Sequence, residues 1–202
     1  MNFIIVNDGS SLGHVAQQIN TIKEKNISVN YISYKNNKGK GYALRQGVEL
    51  ASSRFVIYTD IDFPFTNAST LNLISCLVTE DYDLVVGYRD KTYYQKKMSG
   101  FRKILSKSFR VLTRNILKMP VSDTQCGLKG FNHKGRQEFL KTTINRYLFD
   151  FEFIYFSSKN RSLRIKPVEV ELKENVVFSK MKLKIIIQEA FNLLNVLIFR
   201  KN

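Results

Sequence analysis

The 202-residue chain suffices for one ordinary domain with an appended element, and 44% hydrophobic residues argue against disorder. Its two cysteines, Cys76 and Cys126, suit a reducing compartment better than a disulfide scaffold. No apolar run reaches the roughly 18 residues of a membrane span, and the start lacks the basic residues of a signal peptide. The net charge of +15 is unevenly placed: residues 1–88 carry 7 Lys/Arg against 8 Asp/Glu, whereas residues 89–118 carry 10 against 1. That surplus seeks polyanions: nucleic acid, an anionic membrane face or phosphorylated substrates.

In chain order, Phe3-Ile-Ile-Val6 reads as a buried strand running into Asp8-Gly-Ser and then a helical pattern through Val15, Ile19 and Ile22. Asp8 at the strand end suits either a ligand's ribose or base or the cap of the helix, and the cap is the simpler reading. A second strand, Val29–Ser33, leads into Asn37-Lys-Gly-Lys-Gly-Tyr-Ala43 and a further helix. Glycines at 39 and 41 let a backbone approach phosphate, and Lys38 and Lys40 supply charge; a plain Lys/Gly loop is the alternative.

Phe55-Val-Ile-Tyr58 is a short apolar run of β-formers, consistent with a strand buried on both faces. It ends in Asp60 and Asp62, with Pro64 barring regular continuation. Two carboxylates at a strand end suit a hard divalent cation whose other ligands are phosphate oxygens and water. On this stretch alone a solvated turn is the equal alternative. A helix with Leu71, Ile74 and Leu77 inside follows, then a strand, Tyr82–Arg89. Alternation of strand and helix over the first 90 residues is the pattern of a parallel sheet with crossover helices.

Residues 99–118 pattern as a helix with Phe101, Ile104, Leu105, Phe109, Leu112 and Ile116 on one face and Lys103, Lys107, Arg110 and Arg114 on another. The segment Pro120–Phe131, with Asp123 and Gln125 near Gly127, has the look of a site loop. An apolar helix, Phe149–Phe156, carries two acids, Asp150 and Glu152. Leu163–Leu172 alternates at period two, as a strand does. The tail from Ser179 is an amphipathic helix with Lys180, Lys182, Lys184, Arg200 and Lys201 crowding its ends, suited either to a membrane interface or to packing on the domain. His14 and His133 stand alone, without metal-ligand spacing.

Taken together, Asp8-Gly-Ser, Asn37-Lys-Gly-Lys-Gly-Tyr-Ala43, Asp60-Ile-Asp62, Gly87-Tyr-Arg89 and Asp123-Thr-Gln-Cys-Gly-Leu-Lys129 resemble the family 2 glycosyltransferases, in particular the dolichyl-phosphate mannosyltransferase and polyprenyl-phosphate glucosyltransferase type. The resemblance implies an α/β fold of the GT-A kind: Rossmann-like, with a mostly parallel sheet, flanking helices and a C-terminal amphipathic helix. It divides the chain into a glycosyltransferase domain, residues 1–175, and a basic amphipathic membrane-surface helix, residues 176–202. It also implies a UDP- or GDP-linked nucleotide-sugar donor, Mg²⁺ or Mn²⁺, and an isoprenoid (polyprenyl or dolichyl) phosphate acceptor, with inversion at the anomeric centre.

On this resemblance Asp60 and Asp62 hold the metal, and Asp8, Gly9, Asn37, Lys38, Gly39 and Gly41 line the nucleotide site. Arg89, Arg102 and Arg114 hold the acceptor phosphate. Asp123 and Gln125 position donor or acceptor, because a phosphate already ionised near neutrality needs no strong base. The expected setting is cytoplasmic, peripheral on the cytoplasmic face of a membrane, with an anionic membrane surface as partner and no nucleic acid.

Two departures qualify this reading. Pro64 stands where some relatives carry a glutamine metal ligand. The chain also begins at what resembles the family's second strand, so relative to the family it is N-terminally truncated and lacks a base-binding first strand. That expectation carries three consequences: unpaired strand edges inside the sheet, a homo-oligomer or a membrane-protein partner, and weak activity. The competing function is an inactive homologue acting as a binding or interaction protein.

Overall fold

The computed structural model describes residues 2–10, 15–89, 107–174, 176 and 183–199. Strand β1 (Asn2–Asp8) pairs in parallel with β2 (Ser28–Tyr34) across helix α1 (Val15–Glu24), in register from Asn2 opposite Ser28 to Asp8 opposite Tyr34. Helix α2 (Lys40–Leu50) packs back on β1. A second sheet holds β3 (Val56–Tyr58), β4 (Leu84–Tyr88), β5 (Lys129–Phe131) and β6 (Ile165–Glu169) in the order β3-β5-β4-β6. β4 and β6 are parallel, and β5 runs antiparallel to both of its neighbours. Pro167, which lacks a ladder donor, lies in the edge strand β6, where it is tolerated.

The second sheet is buried on both faces. In β4, Leu84, Val85 and Val86 are fully buried, and alternation sends Leu84 and Val86 to one apolar cluster and Val85 to the other. Helix α3 (Asn67–Thr79) covers the Val85 face with Leu73 and Leu77, and its first turn is capped by the Thr66 hydroxyl, which accepts from Ser69 N–H at 3.2 Å. Leu71, read from the sequence as internal, is exposed: the buried stripe is Ser69-Leu73-Cys76-Leu77, one helical face over from the expected one. The other face is an aromatic core of Tyr58, Phe131, Phe139, Phe149 and Phe153, supplied by the sheet, by α4 (His133–Leu140) and by α5 (Phe149–Lys159).

Helix α6 (Leu183–Phe199) returns to this core, where Val196 is buried and Leu193 and Leu197 pack beside it. The tail is therefore docked on the domain along one side. No helix among the described residues is long and apolar enough to cross a membrane.

Of the basic helix expected over 99–118, residues 99–106 lie outside the described residues. The described part ends in a π-helical turn, Leu112–Ile116, closed by Leu117 N–H on Leu112 O at 3.0 Å. A π turn carries one more residue than an α turn, which rotates Ile116 off the apolar face and leaves it 68% exposed.

The sheet is in two pieces. Among the described residues, no strand pairs with the second edge of β1 or with the second edge of β3. Phe3, Ile4, Ile5 and Val6 are accordingly half-buried, although their run of apolar β-formers reads as a strand enclosed on both faces.

Candidate active site

The carboxyl ends of β1, β3 and β4 carry Asp8, Asp60 and Arg89, and three loops meet there. Asp8 Oδ1 accepts the N–H of Lys38 at 2.7 Å and Oδ2 that of Gly39 at 2.8 Å, while Asn37 Nδ2 donates to Asp8 O at 2.9 Å. Asp8 thus shapes the loop ahead of α2, and among the described residues neither oxygen accepts from α1, the helix it was expected to cap. Gly9 lies in the same contact: its φ is +75°, and a Cβ there would meet Asn37 N.

Gly39 is the N-cap of α2 with φ +106°, a conformation that disfavours any side chain. Asn37 and Lys38 are exposed; Lys38 Nζ donates to Tyr42 Oη at 3.1 Å and lies 4.5 Å from that ring's centre. Gly41 is placed otherwise than expected. It is buried, and its N–H and that of Tyr42 both donate to Asn145 O, so its small size serves close packing against residues 144–149 instead of approach by a phosphate.

Beyond β3 the chain turns at Asp60, with Phe63 N–H on Asp60 O at 3.0 Å and Phe63 held at φ +44°. Asp62 is exposed and Asp60 half-exposed. Lys40 Nζ lies 2.5 Å from Asp60 Oδ1. Burial alone would lower the lysine's pKa, but the nearby Asp150 and Asp60 carboxylates outweigh it and raise the value, so Lys40 remains an ammonium. On the other side the Asp123–Leu128 loop approaches the same carboxylate: a Cβ on Gly127 would stand 2.5 Å from Asp60 Oδ2, so a side chain there would push the carboxylate aside. As donors, two carboxylates one residue apart suit a hard cation such as Mg²⁺ or Mn²⁺, with remaining positions left to phosphate and water oxygens.

Asp123 is nearly buried and bound to Arg89 through three donors: the backbone N–H at 2.9 Å, Nε at 2.8 Å and a terminal nitrogen at 2.8 Å. The guanidinium expected to hold an acceptor phosphate and the carboxylate expected to position a substrate thus engage each other. Gln125, two residues on, has a buried amide Nε2 with no hydrogen-bond partner among the described residues.

These loops lie within a segment recognised by comparison. The model of the family described as Glycosyl transferase family 2 matches residues 1–140. The chain belongs to glycosyl transferase family 2. It is 28% identical over 166 residues to the dolichyl-phosphate beta-glucosyltransferase of Dictyostelium discoideum, covering 77% of this chain and 50% of that protein. It is also 28% identical over 201 residues to the enzyme of the same description from Saccharomyces cerevisiae, covering 90% and 59%. The chain therefore spans between half and three-fifths of the length of these relatives.

Among solved structures it is similar to glucosyl-3-phosphoglycerate synthase from Mycobacterium tuberculosis in complex with Mn²⁺, UDP and glucosyl-3-phosphoglycerate, with a TM-score of 0.64 at 14% identity over 98% of this chain and 68% of that one. It is likewise similar to mannosyl-3-phosphoglycerate synthase from Rubrobacter xylanophilus, with a TM-score of 0.59 at 12% identity over 98% and 72%. At such identities the likeness establishes the fold, which is GT-A.

Beneath the acidic turn of this family 2 domain lies a buried ionic node that the sequence reading did not assign to the site. Lys129, fully buried in β5, places Nζ 2.6 Å from Asp150 Oδ1 and donates to Cys126 O, and Tyr58 Oη donates to the same Asp150 oxygen at 2.5 Å. One carboxylate on α5 thereby ties the strand leading to Asp60 to the loop over it. Glu152, also fully buried, accepts the N–H groups of Thr143 and Ile144 at 2.9 and 2.8 Å and so fixes the segment that carries Asn145 against α2. The legible signal was two acids inside an apolar helix, since buried carboxylates require partners. Arg114 is exposed on the π-helical turn, which Thr113 ties to the Asp123 loop by its hydroxyl on Ser122 O at 3.2 Å. Arg102 lies outside the described residues.

Proposed function

We propose that this chain carries the donor-binding and catalytic part of a glycosyltransferase that moves a hexose from a nucleotide diphosphate to an isoprenoid phosphate at a membrane surface, with inversion. The observation that carries the reading is the enclosure of Asp60 between Lys40 and Gly127, which brings the lysine-glycine loop, the acidic turn and the Asp123 loop to one point. Glucose from UDP is the favoured donor, because the relatives are described as beta-glucosyltransferases and the M. tuberculosis neighbour is solved with UDP and Mn²⁺. A β product from an α-linked nucleotide sugar requires inversion.

Asp60 and Asp62 would hold Mg²⁺ or Mn²⁺, which when bound neutralises charge on the departing diphosphate. Asn37 and Lys38, exposed on the loop that Asp8 organises, are placed for the nucleotide. The buried Gln125 amide is a donor for a sugar hydroxyl or phosphate oxygen. Arg114, with Lys107 and Arg110 on the preceding turns, suits the acceptor phosphate. Arg89 and Asp123, bonded to each other, would act as a pair that fixes the loop's position.

Attachment to a membrane is supported by α6. Opposite its docked side, Phe191, Leu194 and Ile198 fall at helical spacing and are 64%, 51% and 59% exposed. An apolar stripe flanked by lysines and arginines in sequence fits the interfacial layer of an anionic bilayer, such as a cytoplasmic membrane face. The two-piece sheet supports a second reading, a homologue that binds donor without turning it over.

Transfer of labelled glucose from UDP-glucose to a polyprenyl phosphate in anionic vesicles, with and without Mn²⁺, tests both. Label extracted with the lipid and requiring the metal supports the transferase. Metal-dependent UDP binding without transfer supports the second reading, and neither binding nor transfer contradicts both.

A further inference from the structure

Lys40 is held in an arrangement that sets the order of events at the acidic turn. It is the first residue of α2, its ammonium is 2.5 Å from Asp60 Oδ1, and both side chains remain reachable by solvent at 28% and 41% exposure. The other oxygen, Oδ2, lies against the Gly127 backbone. Of the two oxygens of Asp60, one therefore faces the Gly127 loop and the other is taken by a cation that belongs to the chain. A divalent ion approaching Oδ1 meets the ammonium there, and the repulsion between the two positive charges favours the lysine's departure.

Among the described residues, the other carboxylate whose charge reaches the displaced lysine is already engaged. Asp150, whose charge it also feels, already accepts from Lys129 and Tyr58 in the buried node. Its natural new partner is an anion that arrives with the ligand. A nucleoside diphosphate entering over the lysine-glycine loop supplies one.

We infer that Lys40 is an exchangeable counter-ion: it neutralises Asp60 in the ligand-free protein and moves to the diphosphate as the divalent cation takes its place. This deepens the proposed function and rests on its metal assignment. It makes Lys40 a source of coupling between cation and nucleotide, since whatever releases the lysine from Asp60 favours the metal, and the converse holds equally.

The test is Mn²⁺ affinity, read from the electron paramagnetic resonance signal of free Mn²⁺, for the parent chain, Lys40→Met and Lys40→Arg, each with and without UDP. Without UDP, Lys40→Met should bind Mn²⁺ more tightly than the parent by a factor within the roughly 5- to 150-fold range of such couplings. Lys40→Arg, which keeps the charge, should resemble the parent. With UDP present, the advantage of Lys40→Met should shrink, because in the parent the lysine has moved away.

A lysine that merely orients Asp60 predicts the opposite sign. Equal or weaker nucleotide-free Mn²⁺ binding by Lys40→Met, where the parent binds Mn²⁺ with UDP, overturns the exchange and leaves the metal site standing. Absence of Mn²⁺ binding by the parent even with UDP overturns the metal assignment and the exchange together. Far-ultraviolet circular dichroism of all three proteins secures the comparison, and a Lys40→Met that fails to fold passes the test to Lys40→Arg, where tightened Mn²⁺ binding would contradict the counter-ion.

Discussion

Arg89 closes on Asp123 through two parallel bonds, Nε to Oδ2 and a terminal nitrogen to Oδ1, both at 2.8 Å. The pair joins the end of β4 to the start of the loop that lies over Asp60. Both side chains are largely buried, at 15% and 6% exposure, so removing one partner strands a charge. Arg89→Met is expected to lower the unfolding free energy by about 3–5 kcal/mol, measured by urea denaturation. A loss below about 1 kcal/mol, the range of an exposed pair, would show that the bond does not hold the loop.

The node under the site gives a sharper prediction. Lys129→Met leaves Asp150 buried without its ammonium and should cost about 3–5 kcal/mol, whereas the double variant Lys129→Met/Asp150→Leu should recover much of that loss. A double-mutant cycle from denaturation curves measures the coupling. Additive single effects would mean that the two groups do not act as a pair.

Cys126 sets a pH dependence. Burial, reinforced by the Asp123 charge, pushes its thiol up to about 12, from an ordinary value of 9.0. The folded state therefore keeps a proton that the unfolded state releases at lower pH. The stability this contributes is intact below about pH 9 and is lost as pH rises from there towards 12. Replacing Cys126 with alanine should flatten the fall of the denaturation midpoint over that window, and in the parent the thiol should resist alkylation at pH 8 until the chain is unfolded. Rapid alkylation of native Cys126 would contradict its enclosure.

Much of the site was legible because its motifs lie at the ends of strands whose apolar runs are plain in the sequence. Asp8, Asp60 and Asp62 fall at such ends. β5 was not legible: three residues beginning with a fully buried lysine show neither alternation nor an apolar run, and only the Asp150 partner, distant in sequence, permits that burial. The role of Gly41 was hidden for a related reason, since its contact is the Asn145 carbonyl, over 100 positions on. Leu71 and Ile116 were misplaced where a small phase error, in one case from the π turn, carries a residue to the opposite face.

The divided sheet bears on behaviour in solution. Among the described residues, the second edges of β1 and β3 have no strand partner and lie beside half-buried apolar side chains. Such edges recruit other strands. Sedimentation velocity across a concentration series should show self-association of the chain, strengthening with concentration. A monomer at every concentration would show that these edges are protected.

The central claim is that Asp60 and Asp62 hold a cation through which a nucleotide diphosphate is bound, and calorimetric titration of UDP with and without Mn²⁺ addresses it most directly. Asp62 is exposed, so Asp62→Asn should leave stability within about 0.5 kcal/mol of the parent. The account predicts UDP binding by the parent that requires Mn²⁺ and is lost in Asp62→Asn. Equal UDP affinity in the two proteins, or binding by the parent that is indifferent to Mn²⁺, would contradict it.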